Sequence, residues 1–350
     1  MSKMYENCTV EERCHKILED NGSFVADKSR TILLRDPALK NFRRPLEFIS
    51  KNWRDPLTPA MMSLSCEAVG GQPRETHETA LVMSLMNLGF YVWDDIVDKA
   101  TSKSFKPTLF GKFGESSALI IGGLASAKAF SILNGINMDI AKRRKITQLF
   151  WTLWTGMAEA ETVSLGFRTQ KSFSSAKKLL KIEAEATADV DTCLRIGAVI
   201  GNGSESEVKH LGNYGRCLGV VLELWKDFLV TVNLTLELNE KIRSGALPYF
   251  LLWARERSEK LKRKIEDLAN KDETQSSDIK EIVEHTLETN VLDNALNIMR
   301  EYTEKAENEL SELKKNKATE TLKSFVRSQA ELFIGYLSNF QIGHSNLALE

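Results

Sequence analysis

Proline is the residue that most restricts what this chain can fold into. Of its seven prolines only Pro248 lies beyond position 107, so residues 108–247 contain none. A proline inside a helix costs about 3 kcal/mol, because it lacks a donor and its ring strikes the preceding turn. The central stretch is therefore open to long helices, and its apolar pattern asks for them. Ile146, Leu149, Phe150, Leu153, Trp154 and Met157 recur at spacings of three and four, the stripe of an amphipathic helix. Leu218, Val221, Leu222, Trp225 and Leu229 repeat the pattern. No segment sustains period-two alternation, so the expected class is all-α with no real sheet.

Turn signals fall at Gly70-Gly71-Gln72-Pro73, around Lys103–Pro107, at Gly201-Asn202-Gly203-Ser204 and at Ser244-Gly245. Ser204 with Glu207 forms a capping box, predicted to start the helix that carries Tyr214 to Val230. Residues 271–277 read as a polar loop, and 278–338 as three more charged amphipathic helices. Without an internal repeat or a low-complexity linker, one domain is expected over 1–350, with 1–50 a divergent N-terminal helical segment.

A formal net charge of −1 provides no global field for nucleic acid or an anionic membrane. Any anion must be held by a local basic cluster or by metal. The most apolar stretch, Ala118 to Leu133, is interrupted by Lys128 and is too short to span a bilayer, so no integral membrane segment is expected. Cys8, Cys14, Cys66, Cys193 and Cys217 are odd in number, widely spaced and free of any CxxC. This usage reads as a reduced, cytoplasmic protein without a structural zinc site.

One motif stands out chemically. Tyr91-Val92-Trp93-Asp94-Asp95-Ile96-Val97-Asp98 closes a long apolar helix expected to begin near Thr76. Asp94 and Asp98 are four apart and point from one helix face. Three acids on an apolar helix are costly to bury unless something cationic neutralises them. Magnesium takes carboxylate oxygens and is commonly shared with substrate phosphates. Such ions could neutralise a diphosphate leaving group and let a carbon–oxygen bond ionise. The plainer alternative is a solvated helix end. Lys99, Lys103, Lys106 and Lys112 follow, either to pair with a bound diphosphate or as surface charge.

At this motif the chain resembles the trans-isoprenyl diphosphate synthases, within the class I terpenoid synthase fold. Pro59 through Gly71 is similar to that family's proline-led helix ending in Gly-Gly, and Asp94-Asp95-Ile96-Val97-Asp98 to its first aspartate-rich motif. Lys106-Pro107, Gly111-Lys112-Phe113-Gly114, Leu194-Arg195-Ile196-Gly197-Ala198, Tyr214 to Gly219 and Ser244 to Pro248 follow in order. Together they cover about residues 50 to 310. The resemblance implies a bundle of long helices around a central apolar cavity. It also implies two or three Mg2+ ions, with Mn2+ as a substitute, and an allylic prenyl diphosphate as substrate. A homodimer is expected.

The departures from that pattern are equally informative. The second aspartate-rich motif falls on Lys226-Asp227-Phe228-Leu229-Val230, where only Asp227 remains acidic; Glu223, one turn earlier, could contribute. The basic loop that holds the homoallylic co-substrate, isopentenyl diphosphate, aligns with Arg54-Asp55-Pro56-Leu57-Thr58-Pro59 and keeps only Arg54 as a base. A co-substrate histidine aligns with Asn87, two arginines with Lys103 and Ser104, and a helix lysine with Glu185 or Ala186. Lys40 and Arg43-Arg44 form an upstream basic cluster that could replace the loop.

The resemblance thus implies Asp94, Asp98 and Asp227 as catalytic positions, and Asp94, Asp95, Asp98, Asp227 and Glu223 as metal carboxylates. Lys103, Lys106, Phe90, Asn87, Glu223 and Arg54 are the expected substrate contacts. Phe90, Asn87 and Met86 would floor the prenyl pocket, and Trp93, Phe150, Trp151, Trp154, Phe167 and Trp225 either line it or pack helix against helix. Because the losses cluster on the co-substrate, the sequence favours ionisation of an allylic diphosphate followed by cyclisation, elimination or water capture. A chain-elongating prenyltransferase with a rearranged co-substrate site, a non-catalytic regulatory subunit and a helical scaffold protein are the alternatives.

Overall fold

The computed structural model describes residues 9–103, 106–169, 175–176, 188–232, 236–271 and 275–347. Fourteen α-helices lie among them, with one two-stranded ladder. The helices are α1 (Val10–Ile32), α2 (Arg43–Asn52), α3 (Leu57–Ala68), α4 (His77–Val97), α5 (Leu109–Gly135), α6 (Ile140–Thr169), α7 (Ala188–Ile200), α8 (Glu205–Val232), α9 (Leu236–Ser244), α10 (Tyr249–Arg255), α11 (Glu259–Ala269), α12 (Ser276–Leu287), α13 (Val291–Ser311) and α14 (Lys317–Leu347). The ladder pairs β1 (Ser102–Lys103) with β2 (Lys106–Pro107) antiparallel. The all-α expectation holds, and the last three helices fall where the sequence placed them.

Several boundaries follow from local chemistry. The Ser204 amide and hydroxyl both donate to Glu207, and the Glu207 amide donates back to Ser204 Oγ, completing the capping box that starts α8. Gly70, at φ 93°, turns the chain after α3, in the left-handed region where glycine has no Cβ penalty. At the end of α4, the Lys99 amide donates to the Ile96 carbonyl and the Ala100 amide to the Asp95 carbonyl. This is a Schellman closure, here with Lys99 at φ 54° in the position usually taken by glycine. The closure reverses the chain, so that β1 returns over the last turn of α4.

The bundle is built around α3, α4, α7 and α8, with α3 packed on α7, α7 on α8, and α4 on α5. In α3 every residue from Thr58 to Cys66 is buried, and Leu81 to Met86 of α4 are buried without a break. Helices apolar all round belong in the interior, and each large side chain withdrawn from water contributes about 1.5–3 kcal/mol. Small residues set the closest approaches. A Cβ on Gly197 of α7 would collide with the Met62 carbonyl of α3, and one on Gly122 of α5 would meet the Trp93 indole of α4 at 2.5 Å.

By length and composition alone, two stretches could cross a bilayer: Pro73–Val97, which includes α4, and Leu109–Gly135, which is α5. The first is 61% buried inside the bundle, as a core helix is; the second only 39%, because Leu119, Ile120 and Phe130 face outward. A surface cleft of about 230 Å³ lies between α13 and α14, lined by Glu307, Leu310, Leu313, Thr319 and Lys323 among others, and includes none of the expected site residues. The described cysteines Cys14, Cys66, Cys193 and Cys217 are free thiols.

Candidate active site

The end of α4 sorts its three carboxylates by helix geometry. Asp94 faces outward with 48% of its side chain exposed, whereas Asp95, one residue on, is completely buried. Asp98 lies one turn beyond Asp94 and is half-buried, its amide donating to the Asp94 carbonyl at 2.9 Å. Lys103, brought back by the Schellman closure, donates from Nζ to Asp94 Oδ2 at 2.5 Å and lies 2.8 Å from Asp95 Oδ1. A buried carboxylate is tolerable when a cation partners it. Burial still dominates at Asp95: it pushes the carboxyl up to about 6, against the opposing pull of Lys103. At Asp94 burial also pushes upward, but Lys103, with Lys226 and Lys241 further away, reverses it and holds the carboxyl below the ordinary range.

Across from α4, α8 presents Glu223, Lys226 and Asp227. Glu223 and Lys226 pair with each other at 3.2 Å. Asp227 is 6% exposed and its Oδ2 accepts the Tyr249 amide at 2.8 Å, at the first residue of α10. Its carboxylate therefore closes a helix N-terminus, where four donors lack partners and a negative charge is favoured.

A second polar group centres on the half-buried Asp55 and Asp189. Asp55, in the turn before α3, accepts from the Thr58 amide at 3.1 Å and hydroxyl at 2.5 Å, and from Asn87 Nδ2 at 3.2 Å. Burial raises its pKa against these hydrogen bonds. Asp189, in the first turn of α7, is raised to about 7 by burial, then by the charges of Asp55 and Glu223, with the Val190 amide and Lys226 opposing. Asp55, Asn87, Asp189, Glu223 and Lys226 thus face one another from the α3 turn, α4, α7 and α8.

Measured against the sequence, the structure brings Asp94, Asp98 and Lys103 together and sets Asn87 and Phe90 below them on α4. It gives three of the expected metal carboxylates other partners: Asp95 is turned inward onto Lys103, Asp227 onto the Tyr249 amide, and Glu223 onto Lys226. Among the described residues no three carboxylate, histidine or cysteine side chains converge on one point. Arg54 is directed outward and pairs with Asp27 of α1 at 3.3 Å. Lys106 is exposed on β2. Arg43 pairs with Glu47 at 2.8 Å within α2.

The aromatic residues separate into two groups. Phe90 packs on Trp154 at 4.5 Å and Trp93 on Trp154 at 5.2 Å, close below the carboxylates. Trp225 instead packs with Phe228, Phe333 and Tyr336 between α8 and α14. Phe150 is in the core and Trp151 is on the surface. Ser104, Glu185, Ala186 and the Phe167 side chain lie outside the described residues. The sequence reading passed over Lys241, which gave no motif signal. It also passed over Asp189, in the first turn of an apolar helix, which has no second acid three or four residues further on to share its face and mark it.

The α4 carboxylates have the chemistry of a metal site. Asp94 and Asp98 are hard oxygen donors one turn apart, and the Lys103 ammonium already rests on Asp94 as a positive charge would. These residues fit a divalent hard cation. The α8 side, carrying Lys226 where the resemblance expects an acid, does not.

Comparison with known proteins agrees with this architecture. Solved prenyl synthases share the fold: a geranylgeranyl pyrophosphate synthetase from Pyrococcus horikoshii matches with a TM-score of 0.78 at 23% identity, covering 92% of this chain and 98% of its own. A polyprenyl synthase from Caulobacter crescentus, complexed with calcium and isoprenyl diphosphate, matches at 0.79 and 19%, covering 92% and 97%. The family model described as polyprenyl synthetase matches residues 42–286, and the chain belongs to that family. Among characterised sequences it is 27% identical over 173 residues to a geranylgeranyl diphosphate synthase of Methanosarcina mazei, covering 49% of this chain and 53% of that one. It is 26% identical over 179 residues to a short chain isoprenyl diphosphate synthase of Methanothermobacter thermautotrophicus, covering 51% and 54%. The match spans about half the length of these curated relatives.

Proposed function

We propose that this chain is a metal-dependent trans-prenyltransferase that extends an allylic prenyl diphosphate. The observation that carries the reading is the placing of Asp94 and Asp98 on one face at the end of α4, with Lys103 resting on Asp94. The relatives' names support elongation by condensation. They give no support to cyclisation, which the sequence alone favoured.

In this reading Asp94 and Asp98 would hold Mg2+, which when bound would neutralise charge on the departing diphosphate. Lys103 donates to the same anion and keeps Asp94 ionised. The allylic C1–O bond breaks, its electron pair leaving with the diphosphate. The acceptor's double bond forms the new carbon–carbon bond, and the resulting cation gives up a proton to the released diphosphate. Phe90, Trp93 and Trp154 sit next to the reacting end, where aromatic faces steady positive charge and exclude water.

The acceptor side is acidic, with Asp55 beside Asn87 in place of a basic loop. An anionic acceptor would bind weakly there, so the expectation that isopentenyl diphosphate is refused becomes one of a high KM. The outward apolar stripe of α5, including Leu119, Ile120 and Phe130, suits a homodimer contact. Lys226 on the α8 side favours one second reading, a subunit that needs an active partner.

Mg2+-dependent release of pyrophosphate from C10, C15 and C20 allylic diphosphates, with and without isopentenyl diphosphate, tests these readings. Release that requires isopentenyl diphosphate supports elongation. Release without it points to hydrolysis or cyclisation, and no release points to the subunit.

A further inference from the structure

Lys103 touches two carboxylates of very different accessibility. Asp94, at 2.5 Å, keeps 48% of its side chain exposed, whereas Asp95, at 2.8 Å, keeps none. Both Asp95 oxygens are sealed from solvent and accept no well-aligned hydrogen bond from the described residues. Among those residues Lys103 is the one cation within ion-pair reach of Asp95. A hydrated Mg2+ ion gives up its waters reluctantly, and it has no route to these oxygens while α4 stays intact. Withdrawing the ammonium from Asp95 would strand a buried charge. Withdrawing it from Asp94 would not, since water or a metal ion can take its place there. The backbone that carries the lysine is also fixed. The Ala100 amide donates to the Asp95 carbonyl at 2.9 Å, and the Ala100 carbonyl accepts the Thr108 hydroxyl at 2.6 Å. The Thr108 amide donates to the Thr101 carbonyl at 3.0 Å, and Lys103 pairs with Lys106 across the ladder. Only the flexible stem of Lys103 remains to be ordered, and the Asp95 contact orders it.

We infer that Asp95 is a positioning residue and not a metal ligand: it anchors the Lys103 ammonium, so that Asp94 can be given over to a metal ion while Lys103 turns the donor so released to the phosphate oxygens of the prenyl diphosphate. This role rests on the prenyl diphosphate reading above. An ammonium carries three donors, so Lys103 can serve Asp95 and a phosphate oxygen at once. Without the buried anchor the substrate itself would have to order a long, mobile stem, at the expense of affinity. The adjacent acids thus have different tasks. Asp94 faces outward, with Asp98 one turn beyond it, and is available to the metal. Asp95 faces inward and is available only to the lysine.

The test measures two affinities of the full chain: Mn2+ alone, by electron paramagnetic resonance, and farnesyl thiodiphosphate at saturating Mg2+, by calorimetry. The carbon–sulfur bond of the thiodiphosphate resists ionisation, so binding is read without turnover. Asp94→Asn should lose Mn2+ by at least tenfold. Asp95→Asn should keep Mn2+ within about threefold of the parent and weaken the thiodiphosphate by about tenfold, the scale of one charge-assisted contact. Lys103→Met should weaken the thiodiphosphate to the same degree. The double variant Asp95→Asn with Lys103→Met should be no weaker than Lys103→Met alone, because a residue that acts through another adds nothing once its partner is gone. A merely structural role for Asp95 would instead make the two losses multiply, and that result overturns the inference. So does loss of Mn2+ by Asp95→Asn to the extent seen in Asp94→Asn, or parental thiodiphosphate affinity in Asp95→Asn. If Asp95→Asn does not fold, the double variant, which buries no charge at this pair, is compared with Lys103→Met under the same criterion. If the parent protein itself fails to bind the thiodiphosphate with Mg2+ present, the prenyl diphosphate reading falls first.

Discussion

Asn87 of α4 donates its amide to Asp55 of the α3 turn at 3.2 Å, so two positions that would serve an acceptor diphosphate are spent on each other. Their removal has separable effects. Asp55→Asn keeps an oxygen for the Thr58 amide but removes the charge, and should lower the KM for isopentenyl diphosphate by roughly tenfold, as expected for losing one close like-charge interaction. Asp55→Ala also removes the helix cap and should cost about 1 kcal/mol in urea unfolding. An unaltered KM in Asp55→Asn would place the acceptor elsewhere.

Asp227 distinguishes a cap from a metal ligand. Its Oδ2 accepts the Tyr249 amide, which an asparagine oxygen can also do. Asp227→Asn should therefore retain the fold and most of the turnover, while Asp227→Ala loses about 1–3 kcal/mol by stranding a buried donor. Abolished turnover in a well-folded Asp227→Asn would return this residue to the metal set.

Much of this arrangement could be read in the sequence, and what could not has identifiable causes. The α4 acids were legible because spacing of four on an apolar helix fixes their common face. The ends of α3 and α8 were legible because Gly70 and the Ser204–Glu207 box carry their own local chemistry. The hydrogen bond from the Tyr249 amide to Asp227 was not legible, because that amide lies beyond another helix and helical phase alone cannot rank two neighbouring faces of α8. The return of Lys103 over Asp94 depends on Lys99 entering the left-handed region, where lysine gives no signal that glycine would. Elongation was disfavoured because the lost basic residues were weighed one by one; the names of the relatives favour it instead.

Asp189 makes stability fall with pH in a defined window. Its carboxyl, with a pKa raised to about 7 from an ordinary 3.8, favours the folded state when protonated. That contribution is complete below about pH 4 and is lost as pH rises to about 7. Asp189→Asn should flatten this fall and be more stable than the parent at pH 8, by on the order of 1–4 kcal/mol. Asp95, raised to about 6, titrates in the same window, so the quantity to compare is the difference between the two proteins across pH 4–8 in chemical denaturation. A constant difference would mean that Asp189 is solvated.

The outward stripe of α5 gives a prediction on assembly. Ile120→Asp and Phe130→Asp place charge on an exposed apolar face, and should convert a dimer to a monomer in sedimentation at micromolar concentration without loss of helicity. A parent that sediments as a monomer would remove the dimer from the account.

The most direct measurement is incorporation of labelled isopentenyl diphosphate into C10, C15 and C20 allylic diphosphates by the parent and by Asp94→Ala side by side. The Asp94 side chain is half exposed, so the variant should stay folded, with stability within about 1 kcal/mol of the parent. The account predicts elongated, labelled prenyl diphosphates from the parent and at least a hundredfold less from Asp94→Ala, the loss expected for removing a group that acts on the transition state. Unlabelled cyclic or hydrolysed products from the parent, or elongation by Asp94→Ala within a few-fold of it, would contradict it.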